Sequence, residues 1–188
     1  MNVKAIELIR HRFVRIWQSY FPKSLSEPEH NMIHKVLEEP LLSVFYSQPL
    51  CDQRHGLLVF EKCKKVFNKL EDEDLIPREQ ELILASFFHD VAKRFCKFSV
   101  TQRVIVATAL IFIPNRSHEQ LRTSRFKIVR RIGIYVDHAQ LSYEEIEEQT
   151  NSEFVKIVTL YHHGIPEQAN LDVKQLKQIE LFIQADTL

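Results

Sequence analysis

Hydrophobic side chains recur every three or four residues through most of this chain, which is the spacing of one face of an α-helix. The pattern predicts eight helices. Their predicted ranges are 3–20, 29–45, 51–70, 77–95, 101–113, 117–136, 142–161 and 172–188. Pro40 is expected to bend the second helix, and Pro77 suits the first turn of the fourth. Ser117 and Gln120 match a capping box at the start of the sixth. The sequence therefore predicts an all-α fold, a helical bundle.

The first predicted helix carries one apolar stripe, and Phe21–Pro22 ends it. Its members are Ile6, Ile9, Phe13, Trp17 and Tyr20. No stretch of the chain resembles a linker between domains. Residues 1–50 are therefore expected to form a helical extension packed on a domain formed by residues 51–188.

Composition excludes several classes of protein. The chain has 188 residues, 45% hydrophobic, which is enough for one domain with a core. Lys+Arg and Asp+Glu both number 25, so no global charge attracts nucleic acid or a membrane surface. The chain has three glycines, which are too few and too far apart for a glycine-rich phosphate-binding loop. Its three cysteines are also far apart and do not have the spacing of a zinc site. With no secretory signal and no apolar run of about 20 residues, a cytoplasmic location is expected.

Four polar side chains fall where the helical spacing calls for apolar ones: His55, His89, Asp90 and Asp186. A histidine on an apolar face is commonly a hydrogen-bonded core residue. A buried carboxylate, by contrast, must be paired, protonated or bound to a metal. Few basic residues share these stripes, whereas two histidines do. The simplest interpretation is that two histidines and two aspartates bind one divalent cation.

Three further histidines fit the rim of such a site. His118 lies in the first turn of the sixth predicted helix, and His162 and His163 end the seventh. His162 has the core spacing and is preferred as a ligand, while His163 is assigned to substrate binding or to support of the ligands. The alternatives are a solvated helix-start residue for His118, and one core and one surface histidine for the pair.

The order His55, His89-Asp90 in ASFFHDVAK, and Asp186 in FIQAD resembles the HD superfamily of phosphohydrolases, an all-α family named for its adjacent His-Asp pair. The resemblance covers about residues 50–188. His118 and His162 or His163 match additional histidines with which some members hold a second metal. The resemblance implies a hydrolase that acts on phosphate esters, often nucleotides.

The implied cofactor is one or two divalent ions, for which Mn, Mg, Fe, Co and Ni all suit mixed imidazole and carboxylate ligands. One ion at His55, His89, Asp90 and Asp186 would leave positions for water and a phosphate oxygen. With a second ion at His118 and His162, Asp90 would bridge the two. Asp90 is thus expected to act in catalysis through a metal-activated water.

Lys93 follows Asp90 by three residues, so it projects from nearly the same face of a helix. It is expected to act in catalysis by binding a phosphate oxygen, with a solvated helix-end lysine as the alternative. Relatives that hydrolyse guanosine tetraphosphate or deoxynucleoside monophosphates carry an acid in this turn. The HD-x-x-K form in HDVAKR is more similar to the cyclic-nucleotide, dinucleoside-polyphosphate and transfer-RNA-end-processing relatives.

The expected partner is a small phosphorylated compound, most often a nucleotide. No association with a membrane is expected. A basic stretch in the sixth predicted helix could bind the phosphates of a nucleic acid. Such stretches are more commonly the solvated face of a helix. The members of this stretch are Arg122, Arg125, Lys127, Arg130 and Arg131. Two rival functions stay open at this point, a regulatory or nucleotide-binding module that keeps the fold without turnover and a di-iron oxygenase.

Overall fold

A computed structural model describes residues 20–110 and 121–187. Within these residues all regular structure is helical and no strand occurs, so the predicted all-α fold is confirmed. The helices are α1 (Glu27–Val36), α2 (Leu41–Tyr46), α3 (Leu50–Phe67), α4 (Glu79–Phe88), α5 (Lys93–Cys96), α6 (Val100–Leu110), α7 (Lys127–Val136), α8 (His138–Ile146), α9 (Glu153–Tyr161) and α10 (Val173–Thr187). A short 3₁₀ turn spans Glu73–Leu75. None of the helices in this described part is both long and apolar enough to cross a bilayer.

Helices α3, α4, α9 and α10 pack around one hydrophobic core. The segment before α3 contributes Ile33, Leu37 and Phe45 to the same core. At Gly56 of α3, a Cβ would lie 3.1 Å from the carbonyl oxygen of Ser86 and 3.2 Å from the Cα of Phe87. The missing side chain therefore lets α3 approach the end of α4 closely, one residue after the predicted ligand His55.

Four of the predicted helices are interrupted, three of them away from the His-Asp pair. The range 29–45 divides into α1 and α2, and α2 begins directly after Pro40, whose ring cannot continue a helix from the preceding turn. The range 142–161 divides into α8 and α9, because the hydroxyl of Ser152 accepts a hydrogen bond from the Val155 N–H and caps a new helix. In the described part of the range 117–136, the chain leaves the helix after Arg122 and α7 begins at Lys127.

The fourth predicted helix, 77–95, ends at Phe88 instead of continuing through the His-Asp pair. His89 is its C-terminal cap, Asp90 lies in the following turn, and α5 resumes the helical path. The hydroxyl of Ser142 in α8 accepts the N–H of Ala92 at 3.0 Å, which satisfies a buried backbone donor of the turn. A contact 50 residues away in sequence thus stabilises the turn that presents Asp90.

Two predictions fall outside the described residues. Residues 1–19 include nearly all of the first predicted helix, and residues 111–120 include His118.

Candidate metal centre

Five helices or helix ends meet at one cluster of imidazoles and carboxylates. His55 lies in the second turn of α3, His89 and Asp90 follow α4, and His138 begins α8. His162 and His163 follow α9, and Asp186 lies in the last turn of α10. The structure therefore brings together six of the seven residues predicted to bind metal or substrate from a histidine or aspartate side chain. The seventh, His118, is outside the described residues.

The first group consists of His55, His89 and Asp186, whose ligand atoms all lie within 4.8 Å of one another. Asp186 Oδ1 is 3.1 Å from His55 Nε2 and 4.0 Å from His89 Nε2. His89 is buried, whereas the side chains of His55 and Asp186 are 22% and 15% exposed. This group could hold a cation on its buried side and still admit solvent past His55.

The second group consists of Asp90, His138, His162 and His163, again with ligand atoms within 4.8 Å of one another. Asp90 Oδ1 lies 3.1 Å from His138 Nε2 and 3.2 Å from His162 Nε2. His138 and His162 are buried, while His163 is exposed and its Nε2 lies 2.7 Å from His138 Nε2. His162 and His163 thus share one group, with His162 on its inner side and His163 at its edge.

Asp90 lies between the two groups and directs one carboxylate oxygen to each. Oδ1 faces His138 and His162 of the second group. Oδ2 lies 3.7 Å from His55 Nε2 and 3.5 Å from His89 Nε2 of the first. A carboxylate in this position can bridge two cations, which is the arrangement of two-metal hydrolytic sites.

Backbone carbonyls fix the tautomers of three of these histidines. The Nδ1 of His89, His138 and His162 each lies within hydrogen-bond distance of the carbonyl oxygen three residues earlier, at 3.0, 2.5 and 2.9 Å. A carbonyl only accepts, so each Nδ1 carries the proton and each Nε2 presents a lone pair to the cluster. This is the orientation of metal-ligating imidazoles.

One of these lone pairs has no hydrogen bond at all. His89 Nε2 is buried without a hydrogen-bond partner among the described residues, although Asp90 Oδ2 lies 3.5 Å away. An unpaired buried acceptor costs free energy unless another group binds it. A cation between His89, His55 and the two carboxylates would supply the missing partner.

The electrostatics of the cluster favour neutral imidazoles. Burial lowers the pKa of His89 to about 3, and burial together with the neighbouring imidazoles lowers the pKa of His163 to about 3. Burial, followed by the charge of Lys93, lowers the pKa of His138 as well. Because the neutral imidazole is the form that binds metal, these side chains are in their ligand state at neutral pH.

The two aspartates remain ionised in spite of their burial. Burial alone would raise the pKa of Asp90, but the charge of Lys93 and hydrogen bonds from His138 and His162 hold it well below the usual range. At Asp186, burial likewise tends to raise the pKa of the carboxyl, but the hydrogen bond and the charge of His55 outweigh burial and lower it. Two carboxylates and five imidazoles form a donor set suited to divalent transition metals, so the residues present fit such an ion.

Lys93 contacts the carboxylate of Asp90 directly. Its Nζ lies 2.6 Å from Asp90 Oδ2, and its side chain is 16% exposed. Burial would lower the pKa of Lys93, but the charge of Asp90 more than offsets this and raises it. The ammonium therefore stays charged beside the cluster. A carboxylate oxygen can accept a hydrogen bond and bind a cation together, so this contact does not exclude a metal at Oδ2.

The sequence interpretation missed His138. It placed this residue between two helices, whereas His138 begins α8 and lies on its buried face with Ser142 and Ile146, at spacings of four and eight. Because Ser142 is itself polar, this stripe is a weak signal in the sequence, and only the buried Ile146 marks its core side. In the structure His138 lies beside Asp90 and His162, in the group to which the sequence interpretation had assigned His162 and His118.

Comparison of the chain with protein-family models, with curated proteins and with solved structures found no match. The site itself therefore carries the functional argument: a buried cluster of histidines and aspartates with the donor set and the fixed tautomers of a metal centre.

Proposed function

We propose that this protein is a metal-dependent phosphohydrolase or phosphodiesterase whose centre resembles that of the HD superfamily. The observation that supports this most directly is Asp90, a buried carboxylate with one oxygen near each of two ligand groups. Phosphatases and nucleases are among the enzymes that use two cations in this way, because the paired charges stabilise the attacking and leaving oxygens of a displacement at phosphorus. The residues and their order along the chain agree with this reading.

The residues of the cluster would have different roles in such a site. His55, His89 and Asp186 would hold one cation, and His138 and His162 the other, with Asp90 between them. Bound divalent cations would supply Lewis acidity and a nucleophile at neutral pH. Lys93 would donate a hydrogen bond to a phosphate oxygen that approaches Asp90 Oδ2, since its Nζ is already held there. His163, exposed at the edge of the second group, would contact the substrate.

Metal analysis and a substrate panel test the proposed function. We expect purified protein to contain divalent metal and to hydrolyse a phosphorylated compound. The panel compares a cyclic nucleotide, a dinucleoside polyphosphate and a nucleoside monophosphate at matched metal. Cleavage of a phosphodiester or phosphoanhydride should exceed that of a monoester, because HDVAKR lacks the acid found in the monophosphatase relatives.

His34 supplies the matched control for this assay. His89→Ala should lose both metal and activity, whereas His34→Ala, on the exposed side of α1, should keep both. Bound metal without turnover of any compound would favour the non-catalytic binding module. A strong preference for deoxynucleoside monophosphates would refute the interpretation of the HD-x-x-K turn.

Lys93→Ala separates binding of phosphate from binding of metal. The ligands remain in this variant, so we expect metal content to be unchanged. The rate should fall by about 10²–10³, which is typical for loss of one positioned donor to a developing charge. The measurement is kcat together with the metal-to-protein ratio. Lys127→Ala, an exposed lysine at the start of α7, is the control. Full activity in Lys93→Ala would make Lys93 a charge partner of Asp90 alone.

A further inference from the structure

Helix α6 is apolar, yet the described part of the chain buries none of its residues. Its sequence is VTQRVIVATAL, in which polar side chains are a minority. Ile105 is 62% exposed and Val104 is 38% exposed. A helix with apolar residues around most of its circumference is normally covered by another element, because the exposed surface would otherwise be hydrated at a cost in free energy. Something outside the described residues is therefore expected to pack on α6.

The surface in question is a groove between α6 and α7, with a volume of about 270 Å³. Apolar side chains form nearly all of its walls. They are Phe98, Ile105, Val106, Leu110, Ile128 and Ile132. Ile128, on the α7 side, is 52% exposed. Apolar walls of this kind on both sides of a groove are the surface to which the apolar face of an amphipathic helix binds.

The described structure shows which segment of the chain leads to this groove. The hydroxyl of Tyr20 lies 2.6 Å from the hydroxyl of Thr101, in the first turn of α6. This hydrogen bond joins residues 81 positions apart in the sequence. The segment that precedes Tyr20 is therefore attached beside the first turn of α6, and it is within reach of the whole groove.

We propose that residues 1–19 bind in the α6–α7 groove through the stripe formed by Ile6, Ile9, Phe13 and Trp17. From Ile6 to Trp17 a helix rises about 16 Å, which equals the length of the 11-residue α6. Lys4 and Arg15 fall on the opposite side of the predicted helix and would face solvent. The occupant is thus the chain's own N-terminal segment, and this inference does not depend on the proposed function.

Trp17 is the single tryptophan in the chain, so its fluorescence reports on this segment in the intact protein. Ile105→Glu and Ile128→Glu each place a charge in the groove from a partly exposed position, where folding should tolerate it. We expect both variants to shift the emission of Trp17 to the red and to increase its quenching by acrylamide. The ratio of bound to free segment should fall roughly tenfold or more.

The control is Val173→Glu, since Val173 is 84% exposed at the start of α10 and outside the groove. Circular dichroism checks that every variant keeps its helical content. Unchanged emission and quenching in both groove variants would overturn the proposal, and residues 111–120 would then be the candidate occupant. A free, fully quenched Trp17 in the unaltered protein would overturn it as well.

Cross-linking distinguishes the chain's own segment from a second copy. Phe13→Cys combined with Ile105→Cys should form a disulfide on mild oxidation, in a species that still migrates as a monomer on a non-reducing gel. Each single variant serves as the control for the native cysteines, of which Cys63 and Cys96 are buried. Disulfide-linked dimers in place of the internal link would show that a second copy occupies the groove, contrary to the proposal.

Discussion

Asp90→Asn is expected to release the metal of both ligand groups and to abolish hydrolysis. The carboxylate contributes Oδ1 to the group of His138 and His162, and Oδ2 to the group of His55 and His89. Asparagine keeps the shape but replaces one oxygen by an amide nitrogen that cannot bind a cation, and it removes the negative charge. The loss in rate should exceed the 10²–10³ that removal of one positioned electrostatic group costs.

Two further variants test the two ligand groups separately. Asp186→Ala should remove the ion of the first group alone, and His138→Ala the ion of the second alone, because each residue belongs to one group. Elemental analysis of the metal-to-protein ratio would therefore rank the unaltered protein first, the two single-group variants next and Asp90→Asn last. Asp74→Asn, on the exposed 3₁₀ turn, is the control. Retention of a full metal complement by Asp90→Asn would refute the bridging role.

Removal of metal should lower the melting temperature by about 10 °C. A ligand that binds only the folded state at a thousand times its dissociation constant stabilises that state by about 4 kcal/mol. For a chain of this length, each kcal/mol shifts the melting temperature by about 2–4 °C. The structural reason is the buried donor set itself, because His89 Nε2 has no hydrogen-bond partner among the described residues and two ionised carboxylates lie near each other.

Thermal melts with and without chelator measure this effect, and added Mn should reverse it. Asp90→Asn should show no response to chelator, whereas Asp74→Asn should respond as the unaltered protein does. Asp186→Ala is expected to lose metal and still fold, since the substitution also removes a buried charge. Melting curves indifferent to both chelator and Mn would count decisively against a metal site.

Much of the candidate site could be predicted because each of its residues interrupts a local apolar pattern. His55 and Asp186 lie on predicted helical faces of α3 and α10, and the structure places their side chains 3.1 Å apart. His89 and Asp90 were expected on the buried face of the fourth predicted helix, and the structure keeps both buried although that helix ends at Phe88. Helical periodicity is a property of neighbouring residues, so a polar side chain on a buried stripe is visible without knowledge of the fold.

The positions at which helices end were predicted less well, and for a physical reason. The chain leaves the helix after Phe88, and Ser142 from α8 satisfies the N–H of Ala92 in the resulting turn. Ser152 starts a new helix inside what the periodicity suggested was a continuous one. Capping and tertiary hydrogen bonds compete with continuation of a helix, and the free-energy differences between the two are small. The spacing of neighbouring residues does not show which distant residues will supply such hydrogen bonds.

The sequence alone determined that the fold is helical, and it indicated that histidines and aspartates lie on buried helical faces, because periodicity follows from the order of the side chains. Only the tertiary structure decided how those ligands are shared. Asp90 meets His162 across 72 residues of sequence, and His138, which the sequence interpretation missed, joins them. Which imidazoles face which carboxylate oxygen depends on how α3, α8, α9 and α10 are arranged around the turn at Asp90, and that arrangement is fixed by core packing between segments distant in the chain.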